Sequence, residues 1–403
     1  MSEFKHGWAP LLAGTIGTMC GLLTINNYSQ GFFVGPVTSE FGWTPAQFFF
    51  AFAITSCMGL ITAPAIGSLA SRYGIKRLGI IGLVGHAIAY ILMSMNNGSL
   101  VLWYLTFALM AIIAAGSLPI IWTAVLNGWF VKNRGKAIGI MMAGTGLGAF
   151  LLPPIVEYLI SNYGWRTAYR GIGIGALMIS LPVVLLLFRE NTETQINNKT
   201  SSEEGNLWGM TRPEAMRSYK FWVLGSVLFI TMFVMVGLIS NFERILSARG
   251  FERADIAKIA AIMGLTVIFG RLLVGALADK FWAPAVAAVF FVFPIVAMML
   301  MKHADPTMGI GFMIGILIGL AAGAELDMLA YLTGRYFGPA HYPAVFGGIF
   351  AFTSVGAGIA PTLFGAGSTA WQGYGLVLSG SIGLLVLSIV LFLLLGKYPT
   401  ETS

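Results

Sequence analysis

Residues 127–148 read NGWFVKNRGKAIGIMMAGTGLG. One apolar run ends there at Trp129 and Phe130, a short basic loop follows, and the next apolar run carries glycines at positions 139, 144, 146 and 148. Aromatic and basic side chains suit the headgroup zone of a bilayer, and small residues allow membrane helices to pack closely. The stretch therefore predicts the junction between two membrane-spanning helices.

Long apolar runs continue on both sides of this junction. Of the 403 residues, 57% are hydrophobic and 10% are charged, and the mean hydropathy is +0.83. A soluble domain carries about 25% charged residues. A bilayer core of about 30 Å needs about 20 helical residues to cross it. That length predicts twelve spans: 8–34, 45–70, 77–95, 99–127, 134–160, 168–188, 220–247, 254–279, 283–302, 307–334, 342–367 and 372–396.

The same pattern excludes other classes of protein. Barrel strands would alternate apolar and polar residues over about 10 residues, whereas both faces of each run are apolar here. The net charge of +7 is not gathered into a basic stripe, which argues against nucleic acid as a partner. The two cysteines, Cys20 and Cys57, lie inside predicted helices. We therefore expect no disulfide framework, no metal site and no cofactor.

The basic residues predict the orientation of the chain. With the N-terminus placed in the cytoplasm, 15 of the 23 Lys and Arg residues fall on the cytoplasmic side, 7 fall on the other side and Arg271 falls within the membrane. Cytoplasmic segments of membrane proteins carry such an excess. We therefore expect a protein of the inner (plasma) membrane with both termini in the cytoplasm, functional as a monomer.

A polar stretch divides the chain into two halves. Residues 189–219 are rich in Asn, Thr, Ser and Glu, as expected of a solvated linker. The aromatic pair and the glycines of the fourth-to-fifth junction recur at the tenth-to-eleventh junction, at offsets of 207 and 208 residues. Many secondary transporters are built from such repeats. We therefore predict an N-terminal six-helix bundle over 1–188, a cytoplasmic linker over 189–219 and a C-terminal six-helix bundle over 220–403.

The loop after the second span carries a family pattern. Residues 67–77 read GSLASRYGIKR, and residues 275–281, at the equivalent place in the second half, read GALADKF. Both resemble the signature G-x-L-x-D-R-x-G-R-R/K of the major facilitator superfamily. In the first copy Ser71 replaces the usual Asp, which removes the acid from the implied cytoplasmic latch, whereas the second copy retains it as Asp279.

A second resemblance identifies a branch of that superfamily. Residues 127–148 are similar to the signature that opens the fifth helix of monocarboxylate transporters and their bacterial relatives, the oxalate-formate antiporter-like branch included. Further segments agree with that branch: 28–31, 40–43, 164–166, 323–327 and 335–338. The resemblance implies an all-α integral membrane fold, in which twelve transmembrane helices form two pseudo-symmetric six-helix bundles.

Arg271 is the leading candidate for substrate binding. It precedes Asp279 by eight residues, so it lies roughly 12 Å from that helix end, near mid-bilayer. An Arg at that depth is costly unless it faces a cavity or a partner, and its planar fork matches a carboxylate. Monocarboxylate transporters place an Arg on this helix to hold the substrate, so the resemblance implies the same role here. The alternative is a structural ion pair with an acidic neighbour.

Two carboxylates of the tenth span, Glu325 and Asp327, are the candidates for proton coupling. Animal monocarboxylate transporters pair the Arg with an Asp one turn earlier, but Val267 occupies that position here. Glu325 and Asp327 point about 200° apart around the helix, so they cannot both face one pocket. One can line the cavity while the other braces a neighbouring helix. The alternative for either carboxylate is a structural pair with Arg335 or Lys136, and this alternative is favoured for Asp327.

Other polar residues are candidates for the walls of the substrate site, and for Asn27, Tyr28 and Tyr331 the alternative role is a helix-packing hydrogen bond. They are Asn27 and Tyr28 on the first span, Asn241 on the seventh and Tyr331 on the tenth. Charged residues at the predicted cytoplasmic helix ends are candidates for gating and bracing. They are Arg72, Arg77, Arg134, Asp279 and Arg335. His86, in the third span, has no obvious partner, and a structural role is expected of it.

These features favour a secondary active transporter of small monocarboxylate anions that works by alternating access and proton-coupled symport. The alternatives are a carboxylate anion exchanger of oxalate/formate type and a proton-antiport exporter of drugs or metabolites. Arg271 argues against the exporter, because a carrier of cations would line its cavity with acids. The sequence carries no metal-ligand cluster, nucleophile motif or phosphate loop that would indicate an enzyme. The expected partners are a small carboxylate, protons and the lipid bilayer.

Overall fold

The computed structural model describes residues 2–130, 133–189, 208–338 and 341–398, and the regular secondary structure in these ranges is helical. The chain separates into two compact units, with the division between Glu203 and Glu204. Residues 190–207, which make up most of the predicted linker, lie outside the described residues.

The first unit is built from seven α-helices and one turn of 3₁₀ helix in its described residues. They are α1 (Ser2–Met19), α2 (Leu22–Phe41), α3 (Pro45–Tyr73), α4 (Ile75–Ser94), α5 (Leu100–Ile113), the 3₁₀ turn (Ala115–Ser117), α6 (Pro119–Trp129) and α7 (Arg134–Leu187). A straight α7 would be roughly 80 Å long, far more than one bilayer crossing. It bends at Gly164, whose φ of 77° is not helical, and so provides both the fifth and the sixth spans.

The second unit has nine α-helices in its described residues. They are α8 (Arg212–Arg217), α9 (Tyr219–Ser240), α10 (Phe242–Ser247), α11 (Arg253–Ala278), α12 (Ala283–His303), α13 (Met308–Ala322), α14 (Glu325–Phe337), α15 (Tyr342–Ala370) and α16 (Gly375–Leu394). The short α8 begins with a capping box, in which Thr211 and Glu214 exchange side-chain-to-backbone hydrogen bonds.

The helices account for the twelve predicted spans. Eight helical stretches among the described residues are long and apolar enough to cross a bilayer, and one of these is the two-span α7. Three shorter apolar helical stretches belong to the three remaining spans: Pro45–Gly59, which is part of α3, Leu100–Ile113 and Met308–Ala322. The all-helical, twelve-span prediction is therefore confirmed.

Four of the predicted spans are interrupted rather than continuous. The interruptions lie at Cys20 and Gly21 in the first span, between Ala114 and Leu118 in the fourth, at Asn241 in the seventh and at Gly323 and Ala324 in the tenth. In the fourth span Pro119 opens α6 and has no N–H to donate to the preceding turn. The offset from Gly116 to Gly323 is 207 residues, so the two halves share an interruption at equivalent positions.

Glycines bring the helices of each unit into backbone contact. A Cβ added at Gly144 would overlap the carbonyl oxygen of Thr15 on α1, whereas one added at Gly139 would meet open space. The second unit repeats this arrangement on α15. A Cβ at Gly356 would lie 2.5 Å from the carbonyl oxygen of Phe229 on α9, and one at Gly347 would meet open space. The fifth and eleventh spans therefore pack through glycine on the first and seventh.

Candidate functional site

Arg271 lies on α11 and is 8% exposed. Its backbone touches the junction of α13 and α14, because a Cβ added at Gly323 would overlap the carbonyl oxygen of Val267 and lie 2.6 Å from the backbone nitrogen of Arg271. Gly270 makes the reciprocal contact, since a Cβ there would overlap the carbonyl oxygen of Leu320. The two glycines bring the eighth and tenth spans together at the level of Arg271.

Glu325 is the first residue of α14, directly after the interruption of the tenth span, and is 6% exposed. Its carboxyl interacts electrostatically with the guanidinium of Arg271. Within the described part of the chain, its Oε1 atom has no hydrogen-bond partner. A helix N-terminus carries partial positive charge, which also favours an anion at this position. Arg271, predicted to bind the substrate, and Glu325, predicted to carry the proton, therefore interact although they lie on different spans.

Two further candidates lie on the same helix as Glu325. The side chain of Asp327 lies outside the described residues, so its coupling role stays a prediction. Tyr331 is half-buried, and its hydroxyl donates to the carbonyl oxygen of Ala278 at 3.0 Å. Ala278 is the last residue of α11, about 10 Å along that helix from Arg271. Tyr331 therefore fastens α14 to the end of the helix that carries Arg271.

Asn241 is fully buried at the interruption of the seventh span. Its Nδ2 atom donates to the carbonyl oxygens of Gly237 (3.0 Å) and Pro361 (3.4 Å), and its Oδ1 atom accepts from the hydroxyl of Tyr374 (3.1 Å). The same hydroxyl accepts from Nε of Arg244 at 3.1 Å. The amide therefore joins α9 to α15 and to the residue before α16, and its substrate role stays a prediction.

The first-unit candidates Asn27 and Tyr28 are half-buried on α2, and their substrate roles stay predictions. The residues next to them form a buried network. Gln30 donates from Nε2 to the hydroxyl of Tyr90 (3.1 Å) and accepts at Oε1 from the hydroxyl of Tyr169 (2.7 Å). This network joins α2, α4 and α7 in the interior of the unit.

The predicted gating residues lie at helix ends and are exposed: Arg72, Arg77, Arg134, Asp279 and Arg335. The guanidinium of Arg72 lies 5.4 Å from the ring centre of Tyr73, and that of Arg335 lies 4.6 Å from the ring centre of Tyr398. Arg134 begins α7, and Asp279 follows the last residue of α11. Their gating roles stay predictions.

The interruption of the first span has partners that the sequence did not reveal. The backbone N–H of Leu22, at the start of α2, donates to Oγ of Ser117 at 3.0 Å. The ring of His86 hydrogen-bonds the backbone of Cys20. Broken helices in a membrane expose backbone groups that other groups must satisfy. Ser117 and His86 therefore stabilise the interruption, and His86 has a structural partner.

Two of the family segments meet in the first unit. Glu40, near the end of α2, accepts at Oε2 from Nε1 of Trp165 (2.6 Å) and from Nη1 of Arg166 (2.9 Å). Arg166 Nη1 also lies 2.7 Å from Oε1 of Glu40, and its Nη2 donates to the carbonyl oxygen of Asn96 at 3.2 Å. We call Glu40, Trp165 and Arg166 the Glu40 clamp; it joins α2, α7 and the loop after α4.

Sequence reasoning missed one buried carboxylate. Glu157, on the fifth-span part of α7, is 7% exposed and accepts a 2.6 Å hydrogen bond from Oγ of Ser161. The signal was present, because a lone carboxylate in an apolar run is unusual for a membrane helix.

Comparison with known proteins places the fold in a family. Residues 15–328 match the family model of the Major Facilitator Superfamily. The chain is 24% identical over 377 residues to the 3-(3-hydroxy-phenyl)propionate transporter of Escherichia coli (strain K12), covering 92% of this chain and 90% of that protein. It is 30% identical to monocarboxylate transporter 14 of Mus musculus over 145 residues, 36% of this chain and 28% of that protein.

A solved structure shares the fold. The crystal structure of a bacterial homolog to the human lysosomal transporter Spinster, inward-facing and occupied, matches with a TM-score of 0.69 and 17% sequence identity over 96% of this chain and 95% of that one. At that identity the likeness concerns the fold alone. The family match covers all of the first unit's spans beyond residue 15 and ends inside the tenth span. The chain belongs to the major facilitator superfamily, and it is a membrane transporter rather than an enzyme.

Proposed function

We propose that this protein carries small monocarboxylate anions across the membrane by alternating access, in symport with protons. The observation that carries the proposal is the meeting of buried Arg271 and buried Glu325 at the interruption of the tenth span. The names of two relatives support the substrate class, since both 3-(3-hydroxy-phenyl)propionate and monocarboxylates are carboxylate anions.

Arg271 is the proposed anchor for the substrate. A guanidinium inside a membrane span is stable only beside negative charge or water. A substrate carboxylate supplies that charge and accepts two parallel hydrogen bonds from the planar fork, which a Lys ammonium cannot offer in the same geometry. A permanent ion pair with Glu325 would stabilise Arg271 as well, so the proposal depends on the carboxylate of the substrate replacing that of Glu325.

Glu325 is the proposed proton carrier. When its carboxyl is ionised it neutralises Arg271, and the site has little attraction for another anion. When it is protonated, Glu325 no longer neutralises Arg271, and the site attracts a substrate anion more strongly. Binding of the proton and binding of the anion therefore favour each other, which is the thermodynamic requirement of symport. Asp327 stays the second candidate for this role.

The remaining predictions are part of the proposal. Asn27, Tyr28, Asn241 and Tyr331 are the further candidates for the site walls. The protein is proposed to lie in the inner (plasma) membrane with both termini in the cytoplasm and to work as a monomer.

The decisive experiment measures uptake of radiolabelled lactate, pyruvate and benzoate into proteoliposomes, with and without an inward proton gradient. A charge-assisted hydrogen bond contributes about 1.5–3 kcal/mol, so Arg271→Ala should lower kcat/KM at least about tenfold, and Arg271→Lys should not restore it. Lys258→Ala is the matched control, because it removes a cation from the same helix at an exposed ion pair with Asp255. Equal uptake by wild type and Arg271→Ala would show that the anchor is wrong.

Glu325→Gln separates symport from exchange. The amide cannot carry a proton, so gradient-driven uptake should be lost while exchange of labelled for unlabelled acid continues. Wild-type uptake that does not depend on the proton gradient, and that is accelerated by anion inside the liposomes, would instead favour the oxalate/formate type of exchanger. Movement of cationic drugs, without movement of any acid, would favour the exporter.

A further inference from the structure

Four glycines at intervals of four residues line the face of the tenth span that meets α11. We call Gly311, Gly315, Gly319 and Gly323 the glycine ladder. A Cβ added at Gly315 would lie 2.7 Å from the carbonyl oxygen of Ile259, and one added at Gly319 would overlap the carbonyl oxygen of Met263. Because the contacts advance by one turn on both helices, the eighth and tenth spans run side by side in a fixed register.

The last position of the ladder differs from the others in what it touches. A Cβ at Gly323 would overlap the carbonyl oxygen of Val267 and would also lie 2.6 Å from the backbone nitrogen of Arg271. Gly323 is also two residues before Glu325 and belongs to the interruption from which α14 begins. A close approach of the two spans therefore lies beside both the proposed substrate anchor and the proposed proton carrier.

We propose that Gly323 is a positioning residue, which sets the separation of Arg271 from Glu325 and so determines how strongly anion and proton binding are linked. This inference rests on the proposed function. An ordinary contact from Cβ begins at 3.4 Å, so a methyl group at Gly323 requires the two backbones to separate by about 1 Å, a distance set by the overlap with the carbonyl oxygen of Val267. A misplacement of about 1 Å at a reacting site can cost a hundredfold in rate, and electrostatic interaction in a poorly solvated site changes steeply with distance.

The structure offers a closely matched control one turn away. Gly319→Ala creates an overlap with the carbonyl oxygen of Met263 instead of that of Val267, and a further overlap with the Oγ1 atom of Thr266, on the same pair of helices. Both substitutions should disturb the packing of the eighth and tenth spans and lower the melting temperature in detergent. Only Gly323→Ala acts at the backbone of Arg271, so only that variant should change the chemistry of the site.

The test compares wild type, Gly319→Ala and Gly323→Ala in uptake of radiolabelled pyruvate and benzoate, normalised to the protein present in the membrane. We expect Gly323→Ala to lower kcat/KM by about tenfold to a hundredfold and to shift the pH dependence of KM. We expect Gly319→Ala to keep the KM and pH dependence of wild type. If Gly323→Ala does not accumulate, Gly270→Ala disturbs the same crossing from α11, where its Cβ would overlap the carbonyl oxygen of Leu320.

The outcomes separate this inference from the proposed function. If wild type moves no acid, the proposed function fails. If wild type moves acids but Gly323→Ala and Gly319→Ala change KM and pH dependence equally, Gly323 is only a packing residue and the inference is wrong. The inference is also wrong if Gly323→Ala lowers the melting temperature and leaves both kinetic readouts at their wild-type values.

Discussion

The Glu40 clamp holds one carboxylate between two donors that differ in their exposure to solvent. The side chains of Arg166 and Glu40 are 36% and 41% exposed, whereas Trp165 is only 5% exposed. Removing the carboxylate with Glu40→Ala therefore breaks an ion pair that water already weakens, and leaves a buried indole N–H without its acceptor. We predict that the second loss dominates.

The magnitudes follow from these exposures. A solvent-exposed ion pair contributes about 0.2–1 kcal/mol, while a buried donor left without an acceptor costs about 1–3 kcal/mol. Glu40→Ala should therefore lower the free energy of unfolding by about 2 kcal/mol. Glu40→Gln should lower it by about 1 kcal/mol or less, because the amide oxygen can still accept from Nε1 of Trp165 at the same position.

Double-mutant cycles separate the two contributions. Unfolding is measured in mixed micelles for Glu40→Ala combined with Trp165→Phe, and for Glu40→Ala combined with Arg166→Met. We expect the coupling energy of Glu40 with Trp165 to exceed the coupling energy with Arg166. The exposed pair Asp255 and Lys258, at 2.8 Å, is the control for a surface ion pair in the same protein. A larger coupling with Arg166, or Glu40→Gln as damaging as Glu40→Ala, would refute the reasoning.

Three further predictions concern packing inside the units. Ser117→Ala removes the acceptor of the Leu22 N–H and should lower the free energy of unfolding by about 1–2 kcal/mol. The control is Thr123→Ala, which loses only a hydrogen bond within its own helix and should be nearly neutral in thermal unfolding. Tyr374→Phe removes the hydroxyl shared by Asn241 and Arg244 and should lower the melting temperature. If Asn241 lines the proposed site, this variant should also raise KM for the acid, and an unchanged KM would exclude Asn241 from the site. Gly144→Ala should reduce the melting temperature because its Cβ overlaps the carbonyl oxygen of Thr15. Gly139→Ala, whose Cβ would meet open space, should leave the melting temperature unchanged. Equal effects of the two substitutions would contradict the packing described for the fifth span.

The spans and their glycine contacts could be predicted because the signals are local. Hydropathy decides which segments enter a bilayer, and small residues mark the helix faces that pack closely. The interruptions could not be predicted in the same way, because their stability depends on partners far along the chain. The N–H of Leu22 is satisfied by Ser117, which is 95 residues away. Segments 40–43 and 164–166 were noted as family features, but their contact became evident only from the fold.

The candidate site was predictable in part for the same reason. Arg271 could be singled out because a charge at that depth is costly wherever its partner lies. Glu325 was one of two candidates, and its electrostatic interaction with Arg271 joins the tenth span to the eighth, which spacing along one helix does not reveal. The hydrogen bonds of Asn241 come from Pro361 and Tyr374, so its packing role could not be separated from a binding role in advance.

The duplicated halves share a framework but not the charges. Gly116 and Gly323 mark equivalent interruptions at an offset of 207 residues, yet the positions equivalent to Arg271 and Glu325 are Pro64 and Leu118. In the first unit the fourth-span interruption supplies Ser117, whose hydroxyl caps a backbone N–H. In the second unit the corresponding interruption starts a helix with a buried carboxylate next to a buried guanidinium. Since both halves provide the interruption and differ in the side chains placed there, we propose that these side chains, rather than the fold itself, select the cargo.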